Sequence, residues 1–107
     1  MHGNTNLEMC EKCGKGYMRD FRVRTAQKVK EHKTGRKCDN TACGGDLADT
    51  IINFGENLKP EILDMGFQQG QMADLMLVLG SSMRVNPAAE MATQTAQLGG
   101  KMVIVNL

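Results

Sequence analysis

The chain has 107 residues, 41% of them hydrophobic and 23% charged, with a net charge of +1. These values fit an ordinary globular chain of one domain, or one and a small appendage, and so small a net charge creates no global field for nucleic acid. No apolar run reaches the roughly 18 residues of a membrane span and no signal-peptide pattern precedes the cysteines, so the sequence reads as intracellular with no membrane partner. Trp is absent and nine residues are Met, so the expected core is aliphatic with methionine as gap-filler.

From Cys10 to Asp49 the chain is polar, basic and rich in turn formers: CGKG, KTGRKC, CDN and CGGD. Periodicity is weak except at Tyr17–Val23, where Tyr17, Phe21 and Val23 are expected on one face of a strand. So few apolar side chains do not hold about 40 residues together unaided, and the segment requires another staple. At Ile51 the texture changes, which places a boundary between residues 1–50 and 51–107. Ile51-Ile52-Asn53-Phe54 is a strand candidate ending at Gly55. Pro60-Glu61-Ile62-Leu63 opens a helix, with Pro near its first turn and Gly70 as its expected stop. Leu75–Leu79 is a continuous apolar run closed by Gly80, the pattern of a strand buried on both faces of a parallel sheet. Asn86-Pro87 is expected to act as N-cap and first helical residue, Gly99-Gly100 ends that helix, and Met102–Val105 is a second apolar strand. These elements make one βαβ unit with a right-handed crossover. The predicted fold class is α/β, a partial Rossmann-type parallel sheet with a small zinc-ribbon-like module in front.

The staple is sought among the cysteines. Cys10-x-x-Cys13 and Cys38-x-x-x-x-Cys43 are two knuckles separated by 24 residues. A two-residue gap lets both sulfurs reach one ion at about 2.3 Å, and four thiolates leave no open position, so such a Zn²⁺ site is structural. Disulfides and unrelated thiols are the alternatives. A reducing compartment argues for metal, and metal binding would supply folding free energy. His32, with four cysteines already present, reads as a solvated surface residue. Between Tyr17 and Lys37 eight basic residues face only Asp20 and Glu31. That insert is either a phosphate-contacting patch or a solvated face.

Ligands of open parallel sheets sit beyond the carboxyl ends of the strands. That edge here offers Gly80-Ser81-Ser82 and Asn106, groups suited to ribose or phosphate oxygens, although two polar loops would look the same. No G-x-G-x-x-G occurs. His2, taken alone, reads as a frayed terminal residue.

Together the motifs resemble the sirtuins, NAD-dependent protein-lysine deacylases. They are His2-Gly3-Asn4; Cys10-x-x-Cys13 with Cys38…Cys43; Ile51–Glu56; Ala73-Asp74 leading into Leu79–Pro87; and Val103–Asn106, in the family's order along the whole chain. Thr34–Cys38 and Gly44–Ile51 look most like the nuclear, chromatin-associated branch. The resemblance implies that His2 is the general base toward a ribose hydroxyl of NAD, a task suited to imidazole. It implies that Gly80, Ser81, Ser82 and Asn106 hold the NAD riboses. It further implies that Phe54, Gly55 and Glu56 on one side, and Val85 and Asn86 on the other, flank an acyl-lysine peptide added as a strand. The four cysteines match the family's structural zinc module.

The family's pyrophosphate loop and its nicotinamide-binding Gln-Asn pair are absent from these residues. The expectation is therefore a C-terminal portion of a deacylase, inactive by itself, with acylated protein such as histone tails as substrate and the nucleus as location. The rival reading is a zinc-stabilised module that binds nucleic acid or chromatin through residues 17–37. A third expectation is self-association through an uncovered sheet edge.

Overall fold

Turn formers break the first half of the chain into strands too short to stand alone. In a computed structural model describing residues 1–107 they are β1 (Leu7–Cys10), β2 (Gly16–Met18), β3 (Lys33–Lys37) and β4 (Asp46–Asp49). They form an antiparallel sheet in the order β2-β1-β4-β3. The second half holds α1 (Pro60–Met72), β5 (Leu75–Leu79), α2 (Ala88–Gln97) and β6 (Lys101–Val105), with β5 and β6 paired in parallel. The chain divides into two units, His2–Asn57 and Leu58–Leu107, Met1 being grouped with the latter. No helix is long and apolar enough to cross a membrane.

The first unit has a very small apolar core: Cys10, Tyr17, Cys38 and Leu47, with Cys43 packed against them. At its centre lies a charge. Glu8 on β1 is fully buried and accepts hydrogen bonds from Thr34 Oγ1 (2.8 Å), Arg19 Nε (2.9 Å) and Arg36 Nε (2.8 Å). Arg36 also donates to the Val23 carbonyl at 2.6 Å, so one guanidinium ties β3 to a loop and to β1. Burial alone would raise the Glu8 pKa, but the bonds from Arg36, Thr34 and Arg19 outweigh it and hold the carboxyl below its ordinary value.

Two sequence expectations fail here for one reason: the backbone donors find partners outside a ladder. Ile51–Phe54 is not a strand. Ile51 N–H donates to Asp49 Oδ1 (2.9 Å), Ile52 N–H to the His2 carbonyl (3.0 Å) and Asn53 N–H to Glu56 Oε2 (2.7 Å). Likewise β2 ends at Met18. Tyr17 and Val23 are buried as expected, but Phe21 is half exposed and lies against the Arg36 guanidinium, 5.2 Å from ring centre to Cζ.

In the second unit α1 turns Leu63, Gly66, Phe67 and Gly70 inward, an i, i+3, i+4, i+7 stripe. Gly70 is therefore not the stop. It is buried inside the helix, which runs to Met72, because a Cβ there would stand 2.5 Å from the Met91 carbonyl oxygen of α2. From α2, Ala89, Met91, Ala92 and Thr95 are buried, and Thr95 Oγ1 donates to the Gly70 carbonyl at 2.6 Å. Small residues let the two helices approach closely, and a hydroxyl satisfies the backbone where they meet. The helix α2 begins one residue later than expected, with Pro87 at the N-cap and no side-chain cap, so Asn86 does not serve there. Gly99 takes φ +95 just beyond its end, a conformation that suits glycine.

Two packing expectations also require correction. Strand β5 is buried on one face only: Val78 is covered, while Leu75, Leu77 and Leu79 are more than half exposed. Nor is the core filled with methionine. Met91 alone among the nine is buried, and Met1, Met18, Met65 and Met72 are exposed. Alanine, glycine and threonine supply the rest of the helix contact, and Gly66 makes room for Met91, whose Sδ would stand 2.6 Å from a Cβ there.

Candidate functional site

The four cysteines converge from two turns. Cys10 ends β1 and Cys13 lies in the following turn, where the Gly14 N–H closes back on the Cys10 carbonyl at 2.9 Å. Cys38 follows β3, and Cys43 N–H donates to the Asn40 carbonyl at 2.9 Å in the second knuckle. Across the knuckles Cys10 Sγ is 3.7 Å from Cys43 Sγ, and Cys13 Sγ is 3.8 Å from Cys38 Sγ. All four sulfurs lie within 4.8 Å of one another. Sulfurs arranged tetrahedrally about 2.3 Å from a central ion are separated by about 3.8 Å. The thiols are free, and their spacing fits Zn²⁺ and excludes disulfide bonds in this geometry.

The surroundings favour the same ion. A backbone hydrogen bond from Cys13 is the largest influence on Cys10, and the balance brings its pKa down to about 7. The Gly45 N–H lowers Cys43, but burial and the neighbouring sulfurs prevail and push it up to about 11. Four crowded thiols do not all ionise without a central cation. Gly45 completes the cradle, since a Cβ there would stand 2.6 Å from Cys10 Sγ. The Tyr17 hydroxyl lies 3.0 Å from Cys38 Sγ, placed to donate to a thiolate and fix its orientation.

His2 is less frayed than its position in the sequence suggests. Its carbonyl accepts from Ile52 N–H, Asn4 N–H donates to Thr50 Oγ1 at 3.0 Å, and Gly3 (φ +92) passes so close to Thr50 that a Cβ would meet its carbonyl oxygen at 2.0 Å. The backbone is pinned, and the imidazole is exposed with no hydrogen-bond partner. An exposed ring on an anchored backbone is available to a ligand.

In the second unit the strand ends meet. Gly80 (φ +61) follows β5 and its N–H donates to the Val105 carbonyl at 2.8 Å. Asn106, just after β6, donates through Nδ2 to the Ser81 carbonyl at 3.2 Å, and Ser81 Oγ accepts from Met83 N–H at 3.3 Å. Gly80, Ser81 and Ser82 are exposed beside Asn106. Val85 and Asn86 are exposed in the turn before α2, and Phe54 is exposed in the first unit. The segments expected to flank a peptide thus fall in different units.

Two polar features have partners that the sequence did not reveal. His32 is not simply solvated: its Nδ1 lies 3.0 Å from Asp49 Oδ1 and its Nε2 2.8 Å from Glu56 Oε1. The basic insert is largely answered by acids outside it. Arg19 pairs with Glu8 and Asp39, Arg24 with Asp49, Arg36 with Glu8, and Lys33 and Lys37 with Asp46. The sequence contained these acids, but at separations that local reading does not connect.

The fold and site define an α/β chain in which a Cys₄ metal module precedes a parallel βαβ unit with polar groups at its strand ends. Residues 1–87 match the Sir2 family, and the chain belongs to that family. It is 39% identical over 107 residues to the NAD-dependent protein deacetylase SRT1 of Arabidopsis thaliana, covering all of this chain and 22% of that protein. It is also 39% identical over 107 residues to an NAD-dependent protein deacetylase of Thermotoga maritima, covering 41% of it. Among solved structures, a Sir2 homolog–NAD complex aligns with a TM-score of 0.65 at 31% identity, over 98% of this chain and 38% of the other. Sir2 bound to acetylated peptide aligns with a TM-score of 0.65 at 37% identity, over 99% and 42%. The chain thus spans between about a fifth and two-fifths of the length of these relatives.

Proposed function

We propose that this chain carries the structural zinc module, the general base and part of the NAD- and peptide-binding surface of an NAD-dependent protein-lysine deacylase. The observation that carries the reading is the junction at the strand ends, where Gly80-Ser81 and Asn106 are linked by hydrogen bonds at the edge where an open parallel sheet takes its ligand. The relatives' names and the NAD and acetyl-peptide complexes among similar structures support it. NAD supplies an ADP-ribosyl acceptor for the acyl group and nicotinamide as the leaving group.

In this reading Ser81, Ser82 and Asn106 bind ribose hydroxyls, with Gly80 allowing close backbone approach. His2 accepts a proton from a ribose hydroxyl. Phe54-Gly55-Glu56 and Val85-Asn86 present backbone groups to an acyl-lysine peptide, and Cys10, Cys13, Cys38 and Cys43 hold zinc away from the reaction. Histone tails as substrate, the nuclear branch and a nuclear location extend the reading. They rest on the Thr34–Cys38 and Gly44–Ile51 segments alone. Nucleic-acid contact through the insert would rest mainly on Arg22 and Lys30, since the other basic residues of that insert are paired with acids, Lys28 with Glu31 among them.

The test is NAD-dependent deacetylation of an acetyl-lysine peptide by the full-length protein. His2→Ala is expected to lower kcat by about a hundredfold or more, and Asn106→Ala to raise the KM for NAD. Purified 1–107, which lacks a glycine-rich pyrophosphate loop, is expected to show no turnover. Robust turnover by 1–107, or wild-type activity in the His2 variant, overturns the reading.

A further inference from the structure

His32 holds a carboxylate at each ring nitrogen, and both carboxylates also engage backbone. Asp49, buried at the end of β4, accepts from Arg24 Nη1 at 2.8 Å and from Ile51 N–H at 2.9 Å. Glu56 accepts at Oε2 from Asn53 N–H (2.7 Å) and Asn53 Nδ2 (3.0 Å), while Glu56 N–H donates to the Asn53 carbonyl (3.1 Å). The result is a continuous path, Arg24–Asp49–His32–Glu56–Asn53, that closes the turn at residues 53–56.

The chemistry of imidazole makes this path depend on a proton. A neutral ring has one N–H, so one of its two carboxylate contacts would set a lone pair against an anionic oxygen. The imidazolium donates to both. The charged groups facing the ring are Asp49 and Glu56, which favour the cation, and Arg24, whose Nη1 stands 3.2 Å from Nδ1 and opposes it. We propose that His32 is a positioning residue, a protonation-dependent latch whose imidazolium bridges Asp49 and Glu56 and thereby sets the Asn53–Glu56 turn.

The direction of the effect follows. The hydrogen bond with Asp49, then that with Glu56, raises the His32 pKa above its ordinary 6.5. The Asn53 backbone, then His32, brings Glu56 down to about 2. The latch is closed between those two values and opens as pH rises through that of His32. If the turn flanks the acyl-lysine peptide, an inference that rests on the function proposed above, peptide affinity falls on the alkaline side.

The latch is tested by heteronuclear NMR on the zinc-loaded chain, following the His32 ring nitrogens and the Asn53 amide from about pH 5 to pH 9. Both ring nitrogens are expected to be protonated at the acidic end of that range, and the Asn53 amide to shift with the midpoint of His32. Glu56→Gln, which keeps the turn's shape, is expected to lower that midpoint, because one of the two carboxylates that favour the imidazolium is gone. His32→Gln is expected to remove the amide's titration while leaving zinc content and the rest of the spectrum unchanged. A His32 midpoint at or below the ordinary value, or an Asn53 amide that does not move with it, overturns the latch. In the full-length enzyme a separate measurement reads the link to substrate: the KM for acetyl-lysine peptide is expected to rise with the His32 midpoint while kcat does not. A flat KM beside a titrating Asn53 amide would overturn the placing of the peptide on this turn and leave the latch standing.

Discussion

Glu8 shows how much a single side chain is asked to do in a unit with so small an apolar core. A buried carboxylate is costly unless fully paired, and here two guanidiniums and a hydroxyl pair it. Glu8→Gln removes the charge and leaves Arg19 and Arg36 facing a neutral amide, at an expected cost of about 3 kcal/mol, measured by denaturant unfolding of the zinc-loaded chain. The pH dependence has a definite sign. Because its folded-state pKa is depressed, the Glu8 contribution is complete above its ordinary value of 4.5 and is lost as pH falls through the folded value. The variant is therefore expected to lose less stability on acidification than the wild type. The cysteines pose the same problem with an ion in place of arginine. One zinc per chain is expected by metal analysis, and a chelator is expected to abolish the dispersed amide signals of residues 2–57. Gly45→Ala is expected to weaken zinc affinity, because a methyl group would intrude on Cys10 Sγ.

Between elements, the tightest constraint is the approach of α1 to α2. Gly70 admits the Met91 backbone and Thr95 satisfies the Gly70 carbonyl. Gly70→Ala forces the helices apart, at an expected cost of about 1–3 kcal/mol. Thr95→Val keeps the shape and deletes the donor, at an expected cost of about 1–3 kcal/mol. Both are read by thermal or denaturant unfolding, and the effects should not add, because the two residues share one contact. In the first unit the β3–β4 pairing shifts register between Lys33 and Lys37, around Gly35 at φ +79. There the Thr34 side chain turns inward to Glu8.

For the molecule as a whole, the exposed face of β5 and β6 dominates. Leu75, Leu77, Leu79, Val103 and Val105 all show substantial apolar surface there. Contiguous apolar surface on a strand pair promotes association, so the mass of 1–107 measured by light scattering is expected to rise with concentration. Leu77→Lys on that face should suppress the rise.

The order of the strands and helices in the second half was legible because apolar runs and helix-ending glycines are local signals. The run Leu75–Leu79 became β5 and Gly99 ended α2 where the sequence placed them. The metal ligands were legible because short spacings fix which sulfurs reach one ion. What the sequence did not disclose were partners joined across long separations: Glu8 with Arg36, Asp49 with Arg24, and His32 with Glu56. A charged side chain takes its counterion from whatever the fold brings near. So His32, expected to be solvated, and much of the basic insert at residues 17–37 gained partners once the sheet placed acids beside them. The sequence by itself determined the elements of the second half and the set of zinc-ligating thiols, through local periodicity and short covalent reach. Only the tertiary structure decided which charges are buried, which face of β5 is covered and what holds the turn at Glu56, because those depend on contacts between residues far apart in the chain.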